Sequence, residues 1–201
     1  MYREYCEKVL MNNIYSDLFM DYPVTVKNCL YFWDNDNRLY HNIKNHLYPM
    51  LKQIELFDDW KSIQDIFNLA ALFHDVIYVP GHLTNEIESI KHLKSYINPD
   101  NINNPIINEI INMIKGTIIS ISIDRTDFAK NFFILDILPL IDDDINIGIA
   151  LNNTLLVREE FKHIGPEKFI KGNNNIMDYI LNFKFVNDKY PNAKKRIDVI
   201  I

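Results

Sequence analysis

The amino-acid sequence predicts an all-α protein, a helical bundle built as a single domain over residues 1–201. Glycine is scarce, with 5 in 201 residues, whereas all-β domains need many turn residues. Apolar residues recur at the helical period of 3.6 over several long segments. Hydrophobic residues make up 48% of the chain and charged residues 24%, which is ordinary for a globular protein with its own core.

The N-terminal half is predicted to contain three helices. The first spans about 4–20 and ends where Pro23 restricts the residue before it. The second spans about 36–57 and bends near Pro49. The third spans about 62–78, and its stretch 66–73 is apolar nearly all round, which is typical of a helix at the centre of a domain.

The C-terminal half continues the helical pattern. Thr84 is a candidate N-cap for a helix that ends at 98–100, with two glutamates in its first turn. Further helices are predicted at 105–117, 127–140, 145–162 and 176–183, and a helical extension covers about 165–201. The stretch 118–123 alternates with period two, but a strand there needs a partner strand and none is visible.

The overall charge argues against nucleic-acid binding, and the two cysteines argue against a metal or redox site built on thiols. The formal net charge is −6, and without a basic stripe we do not expect binding to a nucleic-acid backbone. A small phosphorylated substrate is compatible with this negative charge, because a metal ion can supply local positive charge.

Cys6 and Cys29 form no metal or redox motif and are expected to be reduced thiols. With no signal peptide and no apolar run that could span a bilayer, a cytoplasmic protein without a membrane partner is expected.

A histidine–aspartate pair ends the most apolar segment. His74 and Asp75 follow directly on the apolar stretch 70–73, where polar groups are costly unless something satisfies them. Taken alone, the pair is compatible with a histidine bonded to a backbone carbonyl and an aspartate that ends the helix. It does not stand alone, because His41 lies upstream and Asp136 lies downstream within an apolar stretch, where a carboxylate needs a cation or several hydrogen bonds.

Six short motifs occur in a fixed order between about 38 and 161. They are YHN at 40–42, FHDVIY at 73–78, NEIES at 85–89, IKGT at 114–117, DIL at 136–138 and REEF at 158–161. Together they resemble the small predicted metal-dependent HD phosphohydrolase family of the HD superfamily. The resemblance implies an HD-type helical domain and the hydrolysis of a phosphoester, with a nucleotide as the expected substrate.

The same resemblance implies a divalent metal held by His41, His74, Asp75 and Asp136. Two imidazoles and two carboxylates suit Mn, Co, Ni, Fe or Zn, with Mg less preferred. Asp75 and Glu86 are the candidate catalytic residues, and Glu86 is a candidate general base or water-orienting group. The alternative for Glu86 is a simple partner of the helix dipole.

Five further residues are candidates for substrate binding. Arg38, Lys115 and Arg158 could neutralise phosphate charge, with arginine the better bidentate partner. Surface or interhelix ion pairing is the alternative for all three. Tyr40 and Asn42 are expected to line the substrate or to support the metal ligands.

The sequence departs from the family pattern at three places. The family commonly has two histidines four residues apart, but Asn45 stands at the second position and His46 follows it. Because one residue turns a side chain by about 100° around an α-helix, we do not expect His46 to replace that histidine. Ser120 stands where the family often has another histidine, and Pro139 is expected to break the helix after Asp136.

These departures predict a one-metal site and keep two other functions open. One is a diverged module that binds a nucleotide or a metal without turnover. The other is an oxygenase with two irons, which needs the histidines that the sequence has lost. The chain is also a possible homo-oligomer, because the aromatic run 31–33 could form an interface or belong to the core.

Overall fold

The chain folds into helices throughout the part that the structure describes. The structure is a computed structural model that describes residues 1–57, 61–119 and 125–200. Those residues contain no strand beyond a single bridge between Phe19 and Ile97, so the predicted all-α class is confirmed. The eleven α-helices found there are α1 (Tyr2–Met11), α2 (Tyr22–Trp33), α3 (Tyr48–Ile54), α4 (Lys61–Phe73), α5 (Asn85–Tyr96), α6 (Pro105–Thr117), α7 (Asp127–Ile141), α8 (Ile147–Glu160), α9 (Pro166–Leu181), α10 (Lys184–Lys189) and α11 (Ala193–Ile200).

The predicted helix boundaries are wrong near the N-terminus. The first helix ends at Met11, and a second helix, α2, begins at Tyr22. Pro23 therefore starts a helix instead of ending one, because a first-turn proline loses no helical hydrogen bond. Asp21 caps α2, since its Oδ1 accepts a hydrogen bond from the backbone N–H of Val24 at 3.2 Å.

The aromatic run at the end of α2 is split between core and surface. The Trp33 indole is fully buried and its Nε1 donates to the carbonyl of Leu72 at 2.8 Å. The rings of Tyr31 and Phe32 are 73% and 37% exposed. The adjacent positions point in different directions because each residue advances a helix by about 100°.

The predicted helix over 36–57 is much shorter in the structure. Residues 34–42 are irregular, a π-helical turn covers Ile43–Leu47, and α3 follows from Tyr48. Pro49 lies in the first turn of α3, where it fits without loss of a hydrogen bond.

Helix α4 is the buried centre of the fold, as predicted. All residues from Asp65 to Phe73 are buried, and α4 packs on α2, α3, α5 and α6. It ends at Phe73, five residues before the predicted end, so His74 and Asp75 directly follow its last turn. The buried central helix α4 therefore places these two polar side chains in the interior.

Helix α7 connects two hydrophobic cores. Phe132 and Leu135 belong to a large core with α1–α6, whereas Phe133 and Ile137 belong to a smaller core with α9–α11. The expected break at Pro139 does not occur, since α7 continues to Ile141. Hydrophobic contacts on both sides of α7 hold the helix together, and the backbone N–H of Asp142 makes its helical hydrogen bond to the carbonyl of Leu138.

None of the described helices combines the length and the hydropathy needed to cross a bilayer.

Candidate metal centre

Two histidines and one aspartate from three separate elements meet inside the large core. The Nε2 atom of His46 lies 3.1 Å from Nε2 of His74 and 3.1 Å from Oδ1 of Asp136. The distance from His74 Nε2 to Asp136 Oδ1 is 3.6 Å. The two imidazoles are only 4% and 1% exposed. These three side chains can hold a metal ion, because one ligand atom of each lies close to those of the other two.

The tautomer of His74 suits a metal ligand. Its Nδ1 lies 3.0 Å from the carbonyl oxygen of Ala71, an acceptor that requires a proton on Nδ1. Nε2 is then free to offer its lone pair towards His46 and Asp136. Metal-binding histidines are commonly oriented in this way by a hydrogen bond from the other ring nitrogen.

In the absence of a cation, a proton on His74 offsets one of the two carboxylate charges in and beside the cluster. Burial opposes the charged form of His74, but the carboxylates of Asp75 and Asp136 outweigh it and raise the pKa of His74 well above its usual value. Burial lowers the pKa of His46. Burial would raise the pKa of Asp136, yet hydrogen bonds with both histidines hold it well below its usual range. A divalent cation can replace that proton, since metal binding needs neutral imidazoles.

Asp75 adds a second carboxylate beside the cluster. Its Oδ2 lies 3.3 Å from His74 Nε2 and 3.8 Å from His46 Nε2. Burial would raise the pKa of Asp75, but the charge on His74 holds it at about 2. Asp75 is therefore ionised and placed to join the other three residues around one ion.

His46 lies in the cluster, although the one-residue shift from position 45 was expected to turn its side chain away. In the π-helical turn Ile43–Leu47, the N–H of Leu47 reaches the carbonyl of Asn42 at 3.2 Å and the N–H of Tyr48 reaches that of Ile43. These hydrogen bonds extend five residues back instead of four, so the turn holds one extra residue. The side chain of residue 46 therefore points in the direction that the side chain of residue 45 would have in a regular α-helical turn.

A signal in the sequence favours His46 over Asn45. The buried apolar residues Ile43, Leu47 and Met50 form one helical stripe. His46 is three residues after Ile43 and lies on this stripe, whereas Asn45 lies off it.

Deleting Lys44 is expected to convert the π-helical turn into a regular α-helical turn and to leave metal affinity within about tenfold of the wild type. Lys44 is exposed, and its removal restores the family spacing without moving α3. The measurement is competition for the metal with a chromophoric chelator. Inserting an alanine after Lys44 is the matched control, because it swings His46 away and is expected to lose the metal. A deletion variant that binds no metal would contradict the role of the π-helical turn.

His41, the predicted metal ligand, is oriented by a carboxylate through its Nδ1 atom. Its Nδ1 lies 2.6 Å from Oε2 of Glu160, and its ring stacks on Tyr78 with 4.0 Å between ring centroids. It is not among the residues that the described part of the chain gathers into the metal cluster. The cluster therefore contains His46, and His41 lies beside it with 5.5 Å between the centroids of the two rings.

Glu160 is the functional residue that the sequence analysis missed. Its side chain is buried and accepts hydrogen bonds from the backbone N–H groups of Tyr40 and His41, at 2.7 and 3.0 Å. The hydroxyl of Tyr78 donates to it at 3.3 Å. Burial would raise the pKa of Glu160, but its hydrogen bond with His41 lowers it. Glu160 is the third residue of the REEF motif, which was the signal for it in the sequence.

The Arg38 side chain is buried and bonds the backbone, so it is not exposed for contact with a phosphate. Its guanidinium is buried and donates to the backbone carbonyls of Asp75 and Val76 at 2.7 and 2.9 Å. It also lies over the rings of Trp33 and Tyr78, at 5.6 and 5.5 Å from their centroids. Burial lowers the pKa of Arg38. Its contacts fix the backbone that carries Asp75.

Tyr40 and Asn42 contact the segment that carries His46. The Tyr40 ring is buried and lies 5.0 Å from that of His46. Asn42 caps the π-helical turn, since its Oδ1 accepts from Asn45 N and its Nδ2 donates to the carbonyl of Arg38 at 2.7 Å. Both residues shape the chain that leads to His46.

The structure does not bring Lys115 and Arg158 to the cluster. Lys115 is exposed in the last turn of α6. Arg158 is exposed on the outer face of α8, whereas Glu160 faces inward two residues later. Two residues correspond to about 200° of helix rotation, so the motif's arginine and glutamate point in nearly opposite directions.

Glu86 lies in the first turn of α5 and is electrostatically coupled to the cluster. Burial raises the pKa of Glu86 to about 7, and the charges of Asp75 and Asp136 contribute in the same direction. Its side chain is half-buried. Such a carboxyl group can accept or release a proton near neutral pH.

The expectations for Ser120 and for the stretch 118–123 stay predictions, because Ser120 and most of that stretch lie outside the described residues.

Comparison of the chain with protein-family models, curated proteins and solved structures finds no match. The resemblance to HD phosphohydrolases therefore depends on the sequence motifs alone.

Proposed function

We propose that this protein is a metal-dependent phosphohydrolase that cleaves a phosphoester, with a nucleotide as substrate. The observation that carries the proposal is the meeting of His46, His74 and Asp136, with Asp75 beside them. Two nitrogen and two oxygen donors suit a borderline divalent cation such as Mn, Co, Ni, Fe or Zn. The nucleotide is taken from the family resemblance.

The cluster needs a cation before it can accept a phosphate. Asp75 and Asp136 are both ionised and would repel an anionic substrate. When bound, a divalent ion supplies Lewis-acid chemistry, which acidifies water and polarises the phosphoryl group. The side chain of Asp136 is 21% exposed, so the cluster reaches solvent on this side.

The protein's own residues supply orientation and proton transfer. The hydrogen bond of His74 with the Ala71 carbonyl fixes its ring, and the contacts of Arg38 fix the backbone at Asp75. Glu86 is the candidate that accepts a proton from the attacking water, because its pKa of about 7 lets it be unprotonated at neutral pH.

The binding module is the second candidate function. It rests on Asn45 and Ser120, which stand where the family commonly has histidines, whereas His46, next to Asn45, reaches the cluster. The two-iron oxygenase has no support in the described residues, which form one metal-binding cluster.

The test combines elemental analysis of the purified protein with phosphate release from a nucleotide panel in Mn, Co, Ni or Mg. The wild type is expected to hold metal and to release phosphate, and Asp75→Asn is expected to lower the rate about 1,000-fold. Asp100→Asn is the matched control, since Asp100 is exposed on the turn after α5. A protein that holds metal and turns over nothing in the panel would favour the binding module. Activity that is unchanged in Asp75→Asn would contradict the proposed site.

A further inference from the structure

Helix α8 presents its large apolar side chains to solvent. Ile147, Leu151 and Leu155 are 38%, 38% and 61% exposed, although the residues that this helix buries include Asn153 and Glu160. A surface helix normally has the opposite arrangement, with apolar side chains inside and polar ones outside. The inversion indicates that another surface covers the outer face of α8.

The exposed residues form a straight stripe. Ile147, Leu151 and Leu155 are spaced four residues apart, which places them one above the other on the same side of the helix. A groove of about 470 Å³ runs beside the stripe, with Leu151 and Leu155 on one wall and Phe169 and Ile170 of α9 on the other. A ridge on one helix can enter such a groove on another.

We propose that this stripe, Ile147, Leu151 and Leu155, is the interface between two copies of this chain, with α8 pairing antiparallel to α8 of the second copy. The stripe is symmetric about Leu151. A two-fold axis there places each Leu151 on its equivalent and each Leu155 on Ile147 of the second copy. This is the self-complementary arrangement that a two-fold interface requires.

Charge complementarity supports the same register. Arg158 lies seven residues after Leu151, and Asp144, in the turn that leads into α8, lies seven residues before it. An antiparallel pairing therefore brings the end of α8 that carries Arg158 close to the end that Asp144 precedes in the second copy. Both side chains are exposed, and neither has an ion-pair partner within the described residues. Opposite charges that flank an apolar stripe fix the register of an interface.

The self-association does not depend on the metal centre, and sedimentation of the full chain tests it. Between about 1 and 100 µM, the wild type is expected to shift from monomer to dimer. Leu151→Glu places two carboxylates on the two-fold axis and is expected to weaken association at least about 100-fold. Leu56→Glu is the matched control, because Leu56 is 72% exposed outside α8, and it is expected to leave association unchanged.

A charge exchange tests the register. Arg158→Glu alone is expected to weaken association about tenfold, and the double variant Arg158→Glu, Asp144→Arg is expected to return it to within about threefold of the wild type. A wild type that stays monomeric overturns the proposal and leaves the stripe to a different partner. Association that Leu151→Glu leaves intact overturns it as well, and a double variant without recovery overturns the antiparallel register.

Discussion

Replacing His46 by glutamine is expected to weaken the binding of a divalent metal at least about 100-fold. Its Nε2 atom lies 3.1 Å from both His74 Nε2 and Asp136 Oδ1, so its removal takes away one of the donors that meet in the core. Glutamine preserves polarity and approximate size but offers no imidazole nitrogen. The measurement is competition with a chromophoric chelator, with elemental analysis after dialysis.

His41→Gln is the discriminating comparison. His41 is bonded to Glu160 and lies outside the cluster, so its loss is expected to weaken metal binding by about tenfold or less. His82→Gln, at an exposed histidine, serves as the control for the general effect of the substitution. If His41→Gln removed the metal and His46→Gln did not, the ligand set expected from the sequence would be correct and the π-helical turn would have no role in it.

Replacing Arg38 by methionine is expected to lower the free energy of unfolding by about 3 kcal/mol. The backbone carbonyls of Asp75 and Val76 accept their hydrogen bonds from the buried guanidinium. Methionine fills part of the space between the Trp33 and Tyr78 rings but leaves these acceptors without that donor. The melting temperature is expected to fall by about 6 to 12 °C for a chain of this size.

Lys115→Met is the matched control for Arg38→Met, and the comparison separates a structural role of Arg38 from a role in phosphate binding. Lys115 was also predicted to contact phosphate, but it is exposed on α6, and its replacement is expected to change the free energy of unfolding by less than about 0.5 kcal/mol. The decisive readouts are chemical denaturation and, for an active protein, KM. If Arg38→Met left the free energy of unfolding unchanged and raised KM, Arg38 would be a substrate-binding residue, as the sequence predicted.

The helical class and the central helix could be predicted because their signal is local. The apolar segment 66–73 determines that α4 is buried whatever surrounds it, and residues from Asp65 to Phe73 are buried in the structure. The pair His74 and Asp75 was visible for the same reason, since two polar residues at the end of such a segment need partners. Helix limits were less predictable, because a proline such as Pro23 can begin or end a helix and the cap at Asp21 decides which.

The identities of the remaining site residues depend on contacts that are distant in sequence. His41 meets Glu160 across 119 positions, and no periodicity connects such a pair. The choice between His46 and Asn45 depends on whether the backbone N–H groups of Leu47 and Tyr48 bond four or five residues back. Arg38 presents the same difficulty, since only the fold shows that its charge is used on the carbonyls of Asp75 and Val76.

The sequence by itself therefore determined that the chain is helical, which segment lies at its centre, and that the His74–Asp75 pair needs partners there. The tertiary structure decided which histidine joins them, which carboxylate orients His41, and which charged residues serve the fold. The physical reason is that hydrophobic periodicity acts between neighbours along the chain, whereas ligand geometry depends on the packing of α3, α4, α7 and α8 against one another.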